Sequence, residues 1–325
     1  MRTCVLIAAL ATGALATGAQ DLGAQGLGGQ ASDSLEGRSL LGKPLYRATL
    51  SAEVSARYND RLAAAKSELA LRPDDPDALI WVGRRTAYLG RYRESREIFT
   101  EGVKRYPRDA RFLRHRGHRY LSVRLIDSAI TDFSKAWTLT RGQKDEIEPD
   151  GMPNASNIPT STLQSNICYH LGLAWYLRGA FARALPVYEQ CERVSSNADM
   201  LVATRYWHYM TLRRMGRATA ARRLLADITP SMEVIENGAY HRLLLLNKGM
   251  LPLDSLVATG GAGVSALDAT VTDASLWYGI GNWHLYNGRR REANRIFQRI
   301  VAGPAWSAFG YIAAEAELAR ANARR

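Results

Sequence analysis

Apolar and small residues recur along this chain with a period of 34 residues. Leu79, Val82, Gly83, Gly90, Tyr92, Phe99 and Pro107 are answered 34 positions later by Leu113, Arg116, Gly117, Arg124, Ile126, Phe133 and Arg141. In the same register Gly102 falls on Ala136. Each period reads as two amphipathic helices joined by a glycine turn. Such a pair cannot bury its apolar face alone and must stack on its neighbours. Small residues of the Gly83 and Ala184 type let the two helices approach. An aromatic of the Phe99 type fills the groove to the next unit, and the glycine turns the chain at positive φ. No β-period stretch of any length is present.

These offsets resemble the tetratricopeptide repeat (TPR) family over roughly residues 52 to 322. The resemblance implies an all-α, right-handed superhelix, an α-solenoid of about six helix-turn-helix repeats with a capping helix at each end. The repeats are expected near residues 76–109, 110–140, 165–198, 202–230, 235–258 and 274–305. The third is the best match, with Leu171, Gly172, Gly179, Phe181, Ala184 and Tyr188 at the packing positions. The fourth keeps Gly216 and Ala221, and the fifth is broken by Pro252. The sixth recovers the pattern with Trp277, Gly281, Gly288, Ala293 and Phe297. A helix from about Ala52 to Leu71, ended by Pro73, caps the start of this 51–325 array, and residues 306–322 cap its open end. Two loops interrupt it: residues 141–163, centred on EIEPDGMPNASNIPTS, and the glycine-rich ATGGAGVSALDAT. Loops as long as the first are either functional or solvated spacers.

The N-terminus changes the picture of where the array works. Arg2, the apolar stretch Val5 to Leu15 and the small residues through Thr17-Gly18-Ala19 have the order of a secretory signal, so residues 1–19 are expected to be removed. Residues 20–50, rich in Gly, Ala, Gln and Ser, carry too little bulky apolar surface for a core and read as a flexible linker. No other apolar run is long enough to cross a bilayer. The expected localisation is periplasmic or extracellular, in a bacterial envelope.

Charge and groove chemistry come next. The formal net charge is +12, carried mostly by arginine, which favours anionic partners. Export removes most access to nucleic acid. The resemblance places first-helix residues on a concave face. This makes Arg84, Tyr88, Arg111, Arg114, His118, Asn166, Tyr169, His170, Tyr176 and Tyr206 a candidate ligand-binding groove. Arginine pairs bidentately with carboxylates and tyrosine supplies rigid amphipathic area, which suits an acidic or extended peptide. The family's chaperone-tail site is not carried over, because its positions hold Ile80, Arg84, His115 and His118.

His115 and His118 share a helical face, but Arg111, Arg114 and Arg119 would repel a cation, so no metal is assigned. No nucleophile elbow, phosphate loop, HExxH or dinucleotide fingerprint is present, and no catalytic residue or cofactor is assigned. Cys168 and Cys191 lie at nearly equal distances from the turn at Gly179, on antiparallel helices. They are either a disulfide of an exported protein or two small core residues. The expected function is a non-catalytic exported scaffold that binds a protein or peptide in a concave basic and aromatic groove. The alternative is an envelope enzyme or accessory subunit acting on an anionic glycan or phosphorylated substrate through the 141–163 loop.

Overall fold

The computed structural model describes residues 34–257 and 266–323. The expected leader, the expected linker up to Asp33 and the centre of the glycine-rich loop lie outside the described residues. Within the described chain a hairpin of β1 (Leu35–Arg38) and β2 (Pro44–Tyr46) precedes α1 (Ala52–Leu71). Helix pairs follow in order: α2 (Pro76–Tyr88) with α3 (Tyr92–Arg105), α4 (Ala110–Ser122) with α5 (Ile126–Thr140), and α6 (Leu163–Arg178) with α7 (Phe181–Val194). Then come α8 (Ala198–Arg214) with α9 (Ala218–Leu224), α10 (Gly238–Lys248) with α11 (Leu253–Val257), α12 (Ala266–Tyr286) with α13 (Arg290–Ala302), and α14 (Phe309–Asn322). The fold is an all-α, right-handed solenoid of TPR-type hairpins.

Local chemistry explains the pairs. Each first helix from α2 to α8 starts on a capping side chain: Asp75, Asp109, Thr162 and Asn197 accept from the backbone amides of Asp77, Arg111, Ser165 and Met200. Gly90, Gly179, Gly216 and Gly288 make the turns between helices at φ of 73°, 82°, 73° and 78°. The close crossings need glycine as well. A Cβ on Gly83 would sit 2.6 Å from the Phe99 ring, and one on Gly172 2.5 Å from the Tyr188 ring. First helices touch one another in succession from α2 through α4, α6, α8, α10 and α12, which puts them on the inner, more tightly curved side. Cys168 of α6 and Cys191 of α7 are joined in a disulfide, with their Cα atoms 5.4 Å apart.

Two expectations are corrected. Residues 35–46 are not a tether but the β1–β2 hairpin, docked on the array. Leu45 is buried, Trp306 Nε1 donates to the Tyr46 carbonyl at 2.8 Å, and Glu36 accepts from the Arg93 amide at 2.8 Å. The hairpin needs no core of its own because the array supplies the apolar surface. Residues 306–322 do more than cap an open end. From Gly310 to Glu317 every residue of α14 is buried, so the helix is enclosed on all sides. It touches α6 as well as α12 and α13. Arg124, in the α4–α5 turn, reaches it through a buried ion pair with Glu315 at 2.9 Å. At the end of α8, Arg214 pairs with Glu317 at 2.5 Å. Small side chains make this possible: Ala313 and Ala314 are fully buried, and a Cβ on Gly310 would collide with the Ala274 carbonyl oxygen.

Candidate partner-binding groove

The inner face is built by α2, α4, α6, α8 and α10, and two segments of the chain itself occupy much of it. One is α14. The other is the 141–163 loop, which folds back over the first three repeats. Its stem is closed by paired backbone bonds, Glu148 N to Ser161 O at 3.1 Å and Leu163 N to Glu146 O at 2.8 Å. Its acidic limb then lies against the groove. Glu148 meets Arg114 at 2.9 Å with both side chains about nine-tenths buried, and it accepts from Asn166 at 3.1 Å. Arg85 donates to the Gly151 carbonyl at 2.8 Å. Farther on, Asn154 and Thr160 donate to Glu236 at 2.7 Å each. Glu236 is aimed by the buried Asp199, whose carboxylate accepts from the backbone amides of Ile235, Glu236 and Asn237 at 2.8–2.9 Å.

Among the sequence-predicted groove residues, Asn166, Tyr169 and His170 meet at a cavity of about 290 Å³ between the loop, α8, α10 and α14. Glu236, Tyr240 and Phe309 complete its wall. Trp207 Nε1 donates to Tyr169 Oη at 2.9 Å, and Tyr240 Oη lies 3.4 Å from Tyr169 Oη. His170 Nδ1 sits 2.6 Å from the Asn166 carbonyl, and its ring is 4.7 Å from that of His118. Burial first, then the positive charge of Arg114, pulls His170 down to about 3. Burial and then Arg119 hold His118 well below its ordinary value, so both rings are neutral.

The other predicted residues are placed differently. Tyr176 and Tyr206 do not line the groove. Tyr176 is fully buried with its hydroxyl 2.8 Å from that of Tyr278, and Tyr206 is stacked on Tyr240 at 4.3 Å. The reason is that later repeats cover what an open array would expose, Tyr278 of α12 over Tyr176 and Tyr240 of α10 over Tyr206. Arg111 is committed to Asp77 at 2.5 Å and Asp109 at 2.6 Å, and Arg114 to Glu148, so the expected positive patch on α4 is neutralised. His115 stacks on Phe99 at 5.2 Å. Asp145 accepts from Thr162 at 2.5 Å and from the Gln164 amide at 3.0 Å. Arg84 and Tyr88 remain at the α2 end, where Arg84 lies 4.5 Å over the Trp81 ring.

Sequence reasoning missed Glu236, Tyr240 and Phe309, because the fifth repeat looked degenerate and α14 looked like an outer cap. It also missed Arg57, Arg61, Trp81 and Arg85. Their signal was present: WVGRRTAY sets Trp81 with Arg85, and Arg84 with Tyr88, at i, i+4 spacing on one helix.

The glycine–aromatic crossings and inner first helices define the protein as a TPR-type α-solenoid. No protein-family model matches the sequence, and no curated protein matches it. Among solved structures it is similar to YrrB, described as "a TPR protein with an unusual peptide-binding site", at 14% identity over 81% of this chain and 98% of that one, with a TM-score of 0.41. It is also similar to a chain of the APC/C hetero-tetramer Cut9–Hcn1, at 17% identity over 84% of this chain and 64% of that one, with a TM-score of 0.32.

Proposed function

We propose that this protein is an exported, non-catalytic scaffold that grips an extended acidic segment of a partner protein on the inner face of its repeats. One observation carries the reading: the inner face already holds such a segment. The loop's Glu148 is seated on Arg114 and its Gly151 carbonyl on Arg85, as a bound peptide's carboxylate and backbone would be. Export is supported by the order of charge, apolar stretch and small residues at the N-terminus, and mature protein is expected to begin near Gln20. Two of the loop's four carboxylates, Asp145 and Glu148, are engaged in holding the loop itself.

The test supplies the loop in trans. Residues Ile147–Ile158 are replaced by a short Gly-Ser turn in the full chain, and a labelled synthetic peptide of Lys144–Asn154 is titrated in by fluorescence anisotropy. The peptide should bind the loop-replaced protein and compete poorly for the intact one. Equal, negligible binding to both would sink the groove reading.

A further inference from the structure

A cluster of arginines lies at the α2 end of the groove, where Arg85 holds the loop's Gly151 carbonyl, and continues onto α1. On α1, Arg57 and Arg61 are exposed one helical turn apart; on α2, Arg84 and Arg85 are half-buried. Three of them, Arg57, Arg84 and Arg85, form a ladder with aromatic rings. Arg84 and Arg85 stand 4.5 and 4.7 Å over Trp81. Arg85 is 5.7 Å from the Tyr88 ring, Tyr88 is 6.3 Å from Tyr58, and Arg57 is 5.6 Å from Tyr58. Among the described residues none of the four has a carboxylate within ion-pair distance, whereas Arg111, Arg114, Arg116, Arg124 and Arg214 all do. A guanidinium stacked on a ring keeps its in-plane N–H donors free at the edge. The charges are also mutually unfavourable: burial first, with Arg61 and Arg84 adding to it, depresses the Arg85 guanidinium.

An apolar edge adjoins this ladder. Ile147 is 66% exposed and Met152 44% exposed, both on the 141–163 loop, and the Met152 sulfur is 3.5 Å from Tyr58 Oη. Ile147 and Pro149 close a cavity of about 200 Å³ against Ile80, Trp81 and Arg84. Three carboxylates line that cavity: Asp77 and Glu148 are committed to Arg111 and Arg114, and Glu146 is exposed at its rim, while Asp150 on the same loop lies within electrostatic reach of Arg84.

We propose that the α1–α2 face and the adjoining loop edge form a docking surface for an acidic peptide segment of a partner protein that carries a large apolar side chain. Carboxylates of the segment meet Arg57, Arg61 and Arg84, and its apolar side chain enters the cavity beside Ile147 and Trp81. The apolar edge selects a peptide over a bare polyanion, because a phosphate or sulfate chain gains nothing from Ile147 and Met152. This deepens the scaffold reading above and rests on it. It differs in needing no displacement of the loop.

The test uses the intact full chain with three probes: a labelled peptide of repeated Glu-Glu-Leu, a polyglutamate of equal length, and inorganic polyphosphate. The leucine-containing peptide should bind about tenfold more tightly than either of the others. R57A/R61A/R84A should weaken it about tenfold or more, and Ile147→Ser by several-fold. Arg217→Ala with Arg222→Ala, one just before α9 and one within it, should leave it unchanged. Circular dichroism confirms that each variant is folded, and the three substituted arginines are not core residues. Undiminished binding by the triple variant would overturn the surface. So would polyphosphate or polyglutamate binding as tightly as the leucine-containing peptide, with Ile147→Ser neutral. A dimer of the purified chain that the triple variant dissociates, with no peptide binding, would assign the face to a second copy and also overturn it. If the loop peptide still binds the loop-replaced protein while R57A/R61A/R84A changes nothing, the scaffold reading stands and this surface alone falls.

Discussion

The inner face of this solenoid is filled twice, by α14 and by the 141–163 loop, and the two fillings obey different physics. The helix is dry. Eight consecutive residues are buried, alanines pack at close range, and its two carboxylates are met by Arg124 and by Arg214 with Arg320. The loop is wet. Its anchors are few, Glu148 on Arg114, the Gly151 carbonyl on Arg85 and Thr160 on Glu236, while Ile147, Met152 and Ile158 are left exposed. Removing a buried charge partner costs far more than releasing a solvated segment. The helix is therefore part of the fold, and the loop is an occupant of the groove.

Arg124→Ala should break the helical side most severely. Glu315 would be left as an uncompensated buried charge, which typically costs 3–5 kcal/mol. Arg124 also sits at φ 67°, where the other repeats have glycine, so Ala would keep the backbone strain and lose the partner. Chemical denaturation should show early loss of α14 docking. A midpoint equal to that of the unmodified protein would mean that α14 is held by packing alone.

Reduction tests the wall that both fillings share. The disulfide closes a loop of sequence separation 23, and its loss should cost about 3 kcal/mol in the chain-entropy model. Denatured, unreduced protein from an oxidising compartment should resist thiol labelling. Two reactive thiols would remove the bridge and its contribution.

Acid tests the seam between the fillings, where Phe309 lies 5.4 Å from the rings of His118 and of His170. His170 is held to about 3 in the folded protein against 6.5 unfolded. Below pH 6.5 the unfolded chain binds the extra proton, so stability should fall as pH drops and the contribution should be gone near pH 3. The slope should be on the order of 1 kcal/mol per pH unit. His115 and His118 shift in the same direction. A melting temperature constant between pH 7 and pH 5 would place these rings in water.

The smallest effect belongs to the loop. Replacing Ile147–Ile158 by a short turn should change stability by no more than about 1 kcal/mol, because the Leu163 N to Glu146 O stem bond remains and Arg114, which loses Glu148, regains water once the loop is gone. A loss comparable to that of Arg124→Ala would erase the distinction between the two fillings.

The fold was legible in the sequence because a repeat is a short-range object. Gly83 against Phe99, Gly172 against Tyr188 and the caps at Asp75 and Asp109 all act within one repeat or between neighbours, so one 34-residue period contains their physics. The site was legible only in part. Asn166, Tyr169 and His170 do line the remaining cavity, but Tyr176 and Tyr206 are buried and Arg111 and Arg114 are paired. Arg124 illustrates the boundary. Its departure from the glycine of Gly90 is visible in the sequence, but its partner Glu315 lies 191 residues away and follows no period. Helix, turn and crossing were set by local spacing. Which segments fill the inner face, and so which arginines remain free, was decided only when the last helix and the acidic loop folded back. Those contacts join surfaces whose complementarity no local pattern records.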